Sequence, residues 1–149
     1  MTQLQLDGSK IQHHVKELNA WRRGDTVYPL LVEISPTNIC NHGCLFCAYD
    51  YMDGRSSEAA LDRSNSAFIG AERLMKVISE LHEVGTKSLF YSGEGEPLLH
   101  KRLPEIIAFA GNLGLDQALN TNGSALTGDV IEQILPHMSW VRFSGNGGN

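Results

Sequence analysis

The sequence predicts an α/β fold in which parallel strands alternate with helices. Short segments rich in apolar and β-branched residues alternate along the chain with amphipathic segments of helical spacing. No internal repeat, low-complexity tract or domain linker interrupts this alternation. Each predicted strand leads directly into a distinctive loop. Strands separated by helices of this length pair in parallel through right-handed crossovers, and this topology predicts the fold class.

The first predicted elements are a helix over residues 10–23 and a strand over residues 28–35. Ser9 is a possible cap for this helix, and Gly24 is placed to end it. Its apolar stripe consists of Ile11, Val15, Leu18 and Trp21. The strand, "YPLLVEIS", is bounded by Pro36 and is predicted to be buried. We assign residues 1–27 to an N-terminal helical extension and residues 28–149 to the core domain.

Three further strand and helix pairs are predicted in the rest of the chain. The next helix, over residues 66–84, carries Leu74, Ile78 and Leu81 on one stripe and closes at Gly85. The remaining strands are predicted at residues 87–92, 116–120 and 140–144, and the remaining helices at residues 103–114 and 129–135. A proline is tolerated in the first turn of the helix that begins at residue 103.

Composition excludes several classes of protein. The chain has 149 residues, of which 42% are hydrophobic and 19% charged, so it can bury one modest core. A net charge of -5 gives no broad electrostatic footprint for nucleic acid or for an anionic membrane. No signal peptide and no apolar run of bilayer length is present. We therefore expect a cytoplasmic location, where thiols remain reduced.

The loop "PTNICNHGCLFCAYD" holds all three cysteines of the chain, Cys40, Cys44 and Cys47. A disulfide framework requires an even number of cysteines, whereas clustered reduced cysteines more often bind metal. Cysteine thiolates hold iron-sulfur clusters, usually four to a cluster. Three thiolates would leave one iron open for an external ligand. The alternative is a binding module without catalysis, stabilised by a Cys3His zinc site that His42 or a distant histidine such as His100 completes.

The segment "CNHGCLFC", with its CxxxCxxC spacing, resembles the signature loop of radical S-adenosylmethionine (radical SAM) enzymes. The resemblance extends to the order of the later loops and implies a partial TIM-like barrel of parallel strands. It implies that Cys40, Cys44 and Cys47 hold a 4Fe-4S cluster whose open iron is chelated by SAM. An electron from the cluster would cleave SAM into methionine and a 5'-deoxyadenosyl radical, which abstracts hydrogen from a substrate.

The resemblance also implies a set of residues that bind SAM. The motif "GEGEP" resembles a glycine-rich Glu-Pro motif in which Gly93 and Gly95 allow close backbone approach and Glu96 receives the SAM ammonium. Glu94 stands where the family often has a glycine, and whether it faces SAM or solvent stays open. The other implied contacts are Thr121 and Asn122 of "NTNG" with the methionyl or ribose groups, Ser144 with the ribose, and Phe46 with adenine.

The resemblance leaves the substrate open. It implies a small-molecule or peptide substrate and an electron donor such as flavodoxin or ferredoxin, with no nucleic-acid or membrane partner. Within the family, a peptide- or protein-modifying maturase is an alternative. A full barrel needs about 250 residues, whereas this chain has 149 residues and four predicted strands. We therefore expect a core domain truncated after its fourth strand.

Overall fold

A computed structural model describes residues 9–44, 46–47 and 67–145. In these residues four strands form one parallel sheet in the order β1-β2-β3-β4. The strands are β1 (Leu31–Ile34), β2 (Ser88–Tyr91), β3 (Asp116–Thr121) and β4 (Trp140–Phe143). The helices are α1 (Val15–Arg22), α2 (Ala71–Glu83), α3 (Leu103–Asn112) and α4 (Gly128–Ile134). Short 3-10 turns cover Ser9–His14, Pro97–Leu99 and Leu135–His137. The α/β class is thus confirmed.

The parallel pairing brings the carboxyl ends of all four strands to one edge of the sheet. Ile34 of β1 pairs with Tyr91 of β2, and Thr121 of β3 pairs with Phe143 of β4. The loops that follow these residues therefore begin side by side, although they are far apart in the sequence. This edge is where sites assemble in parallel α/β folds.

The core lies between the sheet and helices α2 and α3, which pack against each other. Its fully buried members include Ile78 of α2, Leu89 of β2, Ile106 of α3 and Leu119 of β3. A buried polar pair also crosses this layer. The Tyr91 hydroxyl donates to Oε1 of Gln117 at 2.8 Å, and burial raises the pKa of Tyr91, so the hydroxyl keeps its proton. Nε2 of Gln117 donates to the carbonyls of Ile107 and His137.

The N-terminal region differs from the prediction. The chain forms a 3-10 turn over Ser9–His14 before α1 begins, so His14, and not Ser9, is the residue that precedes the helix. Helix α1 buries none of its residues, and Trp21 is exposed. Gly24 has a φ of +83° and ends the helix as predicted. Because α1 buries none of its residues, tertiary packing gives little support to a regular helix through the first turn.

Strand β1 is less buried than its sequence predicts. Leu31 and Glu33 are exposed, Val32 is half-buried, and Ile34 is buried. The cause is position, because β1 lies at an edge of the described sheet and pairs only with β2.

Helix α2 begins later than predicted, at Ala71: residue 66 lies outside the described residues, and residues 67–70 are not helical because Ala67 and Ile69 bond with the backbone after β1. The remaining elements follow the prediction to within a few residues at their ends. No helix in the described part of the chain is both long enough and apolar enough to cross a bilayer.

Candidate functional site

A cleft of about 130 Å³ lies at the carboxyl ends of the strands. The loops after β1, β2, β3 and β4 each contribute to its walls. Its lining residues are Cys40, His42, Cys44, Cys47, Ser92, Gly93, Glu94, Gly95, Glu96, Asn120, Thr121, Asn122 and Ser144. The structure therefore brings together every site residue predicted from the sequence except Phe46.

The cysteine loop is joined to the loop after β2 through Ile39 and Gly95. The backbone N–H of Glu96 donates to the carbonyl of Ile39 at 2.9 Å. A Cβ placed on Gly95 would lie 2.5 Å from that carbonyl oxygen and 2.8 Å from the Ile39 nitrogen. Both contacts are with backbone atoms, which cannot rotate away as a side chain could. Gly95 is therefore required for the close approach of the two loops, and that approach sets the position of Cys40.

The start of the cysteine loop is held on its other side by Ser35 and Thr37. The Ser35 hydroxyl donates to the carbonyl of Thr37 at 3.1 Å and accepts from the N–H of Glu94 at 3.3 Å. The Thr37 hydroxyl accepts from the N–H of Ile39 at 3.0 Å and donates to the carbonyl of Ala67 at 2.8 Å. These bonds give the loop a defined path before its first cysteine.

Glu96 is a buried carboxylate whose two oxygens accept hydrogen bonds from the chain itself. Oε1 accepts from the Thr121 hydroxyl at 2.6 Å and from the N–H of Leu98 at 3.1 Å. Oε2 accepts from the N–H of Asn122 at 2.7 Å. Only 2% of Glu96 is exposed, yet it lines the cleft. The carboxylate thus links the loop after β2 to the turn after β3.

A second link joins the cysteine loop to the turn after β3. Asn41, which follows Cys40, donates from Nδ2 to the Ser124 hydroxyl at 2.6 Å. Nδ2 of Asn122 donates to Oδ1 of Asn41 at 2.8 Å and faces Sγ of Cys40 at 3.9 Å. The Ser124 hydroxyl donates to Oδ1 of Asn122 at 2.7 Å. The three side chains form a closed ring of hydrogen bonds beside Cys40.

Ser144 lines the cleft from the end of β4. Its N–H donates to the carbonyl of Thr121 at 2.8 Å, and its hydroxyl donates to Oδ1 of Asn120 at 3.2 Å. The same Asn120 oxygen accepts from Nε of Arg142 at 3.1 Å. Ser144 is therefore oriented by its neighbour on β3, with its hydroxyl oxygen still able to accept a hydrogen bond.

Four other residues named from the sequence are Phe46, His42, His100 and Glu94, of which His42 and Glu94 line the cleft. Phe46 is 69% exposed and does not line the cleft. His42 lines the cleft and is exposed. His100 is buried in another part of the structure, where Nε2 bonds with the carbonyl of Ile69 at 2.9 Å. Since a carbonyl only accepts, Nε2 carries the proton. Glu94 is exposed at the edge of the cleft.

The cleft is acidic. Burial raises the pKa of the Cys40 thiol, the negative charges of Glu96, Cys44 and Cys47 raise it further, and the N–H of His42 opposes this by donating to the sulfur. No lysine or arginine is among the described residues that line the cleft. A metal-free loop would therefore hold a protonated Cys40, and the cleft favours groups that carry positive charge.

A model of the radical SAM superfamily matches residues 34–149 of the chain. The chain belongs to the radical SAM superfamily. The match includes the cysteine loop and all of the loops that line the cleft. The order of these loops, inferred from the sequence by resemblance, is thus the order of a radical SAM core.

Curated relatives in this superfamily have different activities. The chain is 28% identical over 105 residues to an S-adenosylmethionine-dependent nucleotide dehydratase of Lacinutrix mariniflava, covering 70% of this chain and 21% of the relative. It is 32% identical over 106 residues to a PqqA peptide cyclase of Bradyrhizobium diazoefficiens, covering 71% of this chain and 25% of the cyclase. The chain therefore spans about a fifth to a quarter of the length of these radical SAM relatives.

Solved structures share the fold. Streptococcus suis SuiB bound to S-adenosylmethionine superposes with a TM-score of 0.62 at 16% identity, covering 95% of this chain and 30% of SuiB. BtrN in complex with AdoMet and 2-DOIA superposes with a TM-score of 0.61 at 18% identity, covering 83% of this chain and 48% of BtrN. The four described strands therefore have the arrangement of part of a radical SAM barrel.

The donor chemistry of the cleft fits the cluster and cofactor of a radical SAM protein. Sulfur is the preferred ligand of iron-sulfur clusters, and three cysteines line one wall. No group of three or more His, Cys, Asp or Glu side chains in the described residues converges closely enough to hold one metal ion. A cluster differs in this respect, because each thiolate binds a separate iron. The acidic cleft also suits a cofactor that carries a sulfonium and an ammonium group.

Several residues of the cleft could not be identified from the sequence. Ser35, Asn41, Asn120 and Ser124 hold the predicted site residues in place, but each is a polar residue within or next to a motif that gives it no role of its own. Such residues are common in turns for reasons of local conformation. The sequence does show that these residues are near the motif residues along the chain, and this indicates that they lie near the site. It does not indicate which side chain each of them bonds with.

Proposed function

We propose that this chain forms the cluster- and SAM-binding part of a radical SAM enzyme. The observation that carries the proposal is the convergence of Cys40, Cys44 and Cys47 with the loops after β2, β3 and β4 in one cleft. A 4Fe-4S cluster and SAM, when bound, supply a 5'-deoxyadenosyl radical that abstracts hydrogen from a substrate. The core domain would occupy residues 28–149, with residues 1–27 as an N-terminal helical extension.

The cysteines would each hold one iron and leave the fourth iron for SAM. The turn in which the N–H of Cys47 donates to the carbonyl of Cys44 at 2.9 Å sets the spacing of the last two thiolates. Gly95 fixes the approach of the loop that carries Cys40. These contacts involve backbone atoms and do not depend on a bound metal, so they prepare the thiol groups for the cluster.

Glu96 would accept a hydrogen bond from the SAM ammonium. Its Oε2 accepts only the N–H of Asn122 in the described structure, so this oxygen has capacity for a further donor. Thr121 would act through Glu96, because its hydroxyl already donates to Oε1 and accepts from the N–H of Gly123 at 3.0 Å. Burial strengthens a charge-assisted hydrogen bond of this kind.

The rest of the SAM contacts follow from the walls of the cleft. Gly93 and Gly95 would present backbone groups, and Ser144 would accept from a ribose hydroxyl. Gly93 has a φ of +111° and lies against Ser35, so a side chain there would be strained as well as crowded. Phe46 has an exposed ring that could pack on adenine.

The substrate is proposed to be a small molecule or a peptide. The named relatives include a nucleotide dehydratase and a peptide cyclase. A peptide substrate is the more specific candidate, because SuiB, which covers nearly the whole chain in structural alignment, has also been solved bound to its precursor peptide SuiA. The reaction would take its electron from a donor such as flavodoxin or ferredoxin, in the cytoplasm.

Metal analysis of anaerobically purified and reconstituted protein tests the proposal. We expect about four iron and four sulfide per chain, with the broad visible absorption of a 4Fe-4S cluster. One zinc per chain and no sulfide would instead support a structural Cys3His site, with His42 as the histidine that lines the same cleft. Aerobic handling should bleach the cluster, because an iron that SAM can reach is also reachable by oxygen.

A further inference from the structure

We propose that Asn122 is a positioning residue for Cys40, and that its amide donates a hydrogen bond to the Cys40 sulfur and raises the reduction potential of the cluster. The inference rests on the proposed function, because it requires a cluster on Cys40. It assigns Asn122 to the cysteine ligand, whereas the sequence motif assigned it to SAM.

The hydrogen bonds of Asn122 carry the inference. Oδ1 accepts from the N–H of Ser124 at 2.9 Å and from its hydroxyl at 2.7 Å. One N–H of Nδ2 donates to Oδ1 of Asn41 at 2.8 Å. Nδ2 carries a second N–H, and Sγ of Cys40 lies 3.9 Å from the same nitrogen. Both ends of the amide are therefore in use within the protein, and none of its donors is left for a ribose or a methionyl group.

The ring also fixes which way the amide points. Ser124 donates to the Asn122 oxygen and accepts from Asn41, while Asn41 accepts from Asn122. The backbone N–H of Ser124, which cannot reverse, also donates to Oδ1 of Asn122, so reversing the Asn122 amide would set donor against donor. The backbone adds a further constraint, because the N–H of Asn122 donates to Glu96. The N–H toward Cys40 is thus held by the surrounding structure.

An N–H that faces a cluster thiolate has an electronic consequence. Adding an electron increases the negative charge on the cluster and its sulfur ligands, and a hydrogen-bond donor stabilises that extra charge. Hydrogen bonds to the sulfurs are among the features that set the reduction potentials of iron-sulfur clusters. The amide of Asn122 therefore makes reduction of the cluster easier, and the ring through Asn41 and Ser124 maintains its orientation.

The test is an EPR-monitored redox titration of the anaerobically reconstituted chain, carried out without SAM. We expect Asn122→Ala to shift the midpoint potential to a more negative value. The shift should correspond to about a tenfold decrease in the equilibrium constant for reduction, which is what one hydrogen bond can supply. Asn120→Ala is the matched control, because Asn120 lines the same cleft but bonds with Arg142 and Ser144. Its midpoint potential should equal that of the parent chain.

Asn122→Leu serves where Asn122→Ala fails to fold or to take up iron. It keeps about the size of the side chain and removes the N–H donors without adding a charge, so the potential should again become more negative. An unchanged potential in a fully loaded Asn122 variant would overturn the inference. So would weaker SAM binding at an unchanged potential, which would make Asn122 a SAM contact. A parent chain that forms no 4Fe-4S cluster would instead refute the proposed function, and this inference with it.

Discussion

The Thr121 hydroxyl donates a hydrogen bond of 2.6 Å to Oε1 of Glu96, joining the end of β3 to the loop after β2. Both residues are buried, and no lysine or arginine is among the described residues that line the cleft. The donors to the Glu96 carboxylate are the Thr121 hydroxyl and the backbone N–H groups of Leu98 and Asn122, and all three donors are neutral. This arrangement supports the proposal that Glu96 receives the SAM ammonium and that Thr121 keeps the carboxylate in position.

Glu96→Gln should weaken SAM binding by about tenfold while iron content stays unchanged, because it exchanges a charge-assisted hydrogen bond for a neutral one. The NH2 group of the glutamine would also face one of the donors that now bond to the Glu96 carboxylate. This clash should lower the free energy of unfolding by about 1–3 kcal/mol. Calorimetric titration with SAM and thermal unfolding measure the two effects.

Glu94→Gln is the matched control for Glu96, since Glu94 is an exposed residue at the edge of the same cleft. It should change unfolding by less than about 0.5 kcal/mol. Equal SAM affinity in Glu96→Gln and the parent would remove Glu96 from the site. A larger loss of affinity in the Glu94 variant would show that Glu94 is the residue that meets the ammonium.

Gly95→Ala should reduce cluster loading by pushing the cysteine loop away from the loop after β2. Its new methyl group would meet the carbonyl and nitrogen of Ile39, and overpacking of this kind costs about 1–3 kcal/mol. Gly43→Ala is the control, because no atom of the described residues lies within 4 Å of a Cβ at that position of the cysteine loop. Iron content after reconstitution is the measurement. Equal loading in the two variants would contradict the steric role of Gly95.

Tyr91→Phe should lower the free energy of unfolding by about 1–3 kcal/mol, because it leaves the buried Oε1 of Gln117 without its donor. Tyr28→Phe removes an exposed hydroxyl and should change stability by less than about 0.5 kcal/mol. Urea unfolding followed by circular dichroism compares the two variants. An effect of equal size at both positions would show that the hydrogen bond between Tyr91 and Gln117 adds nothing to the free energy of unfolding.

Single Cys→Ala changes at Cys40, Cys44 and Cys47 should each abolish the visible absorption of the cluster. Each thiolate would fill one iron position, so the loss of any one leaves an iron undercoordinated. Circular dichroism of the metal-free variants should match the parent, because backbone contacts hold the cysteine loop. A full 4Fe-4S spectrum in any single variant would remove that cysteine from the ligand set.

The sequence predicts most of the fold because burial follows periodicity. Leu74 and Ile78, placed on one stripe of the predicted second helix, are buried in α2. The same rule fails at Trp21 and Leu31, which have the right spacing but no element packed over them in the described structure. Periodicity indicates which face a residue occupies, but whether that face is covered depends on tertiary neighbours.

For the site, the motifs predicted which residues line the cleft but not which side chains bond with one another. The order of the loops was sufficient to predict that Cys40, Glu96 and Ser144 share one cleft. The partners of Asn122 were not predictable, because Asn41 and Ser124 are distant or isolated polar residues that only the folded chain brings together. Motif reading gave Asn122 a cofactor contact, whereas its hydrogen bonds lead to Cys40.

The central claim is that three cysteines hold a 4Fe-4S cluster with one iron open to SAM. The most direct measurement is the EPR spectrum of the dithionite-reduced, reconstituted chain recorded before and after addition of SAM. We predict a reduced-cluster signal whose g-values shift when SAM is added, because SAM would become a ligand of the open iron. A reduced 4Fe-4S signal that SAM leaves unchanged, or a chain that holds zinc and gives no signal, would contradict the account.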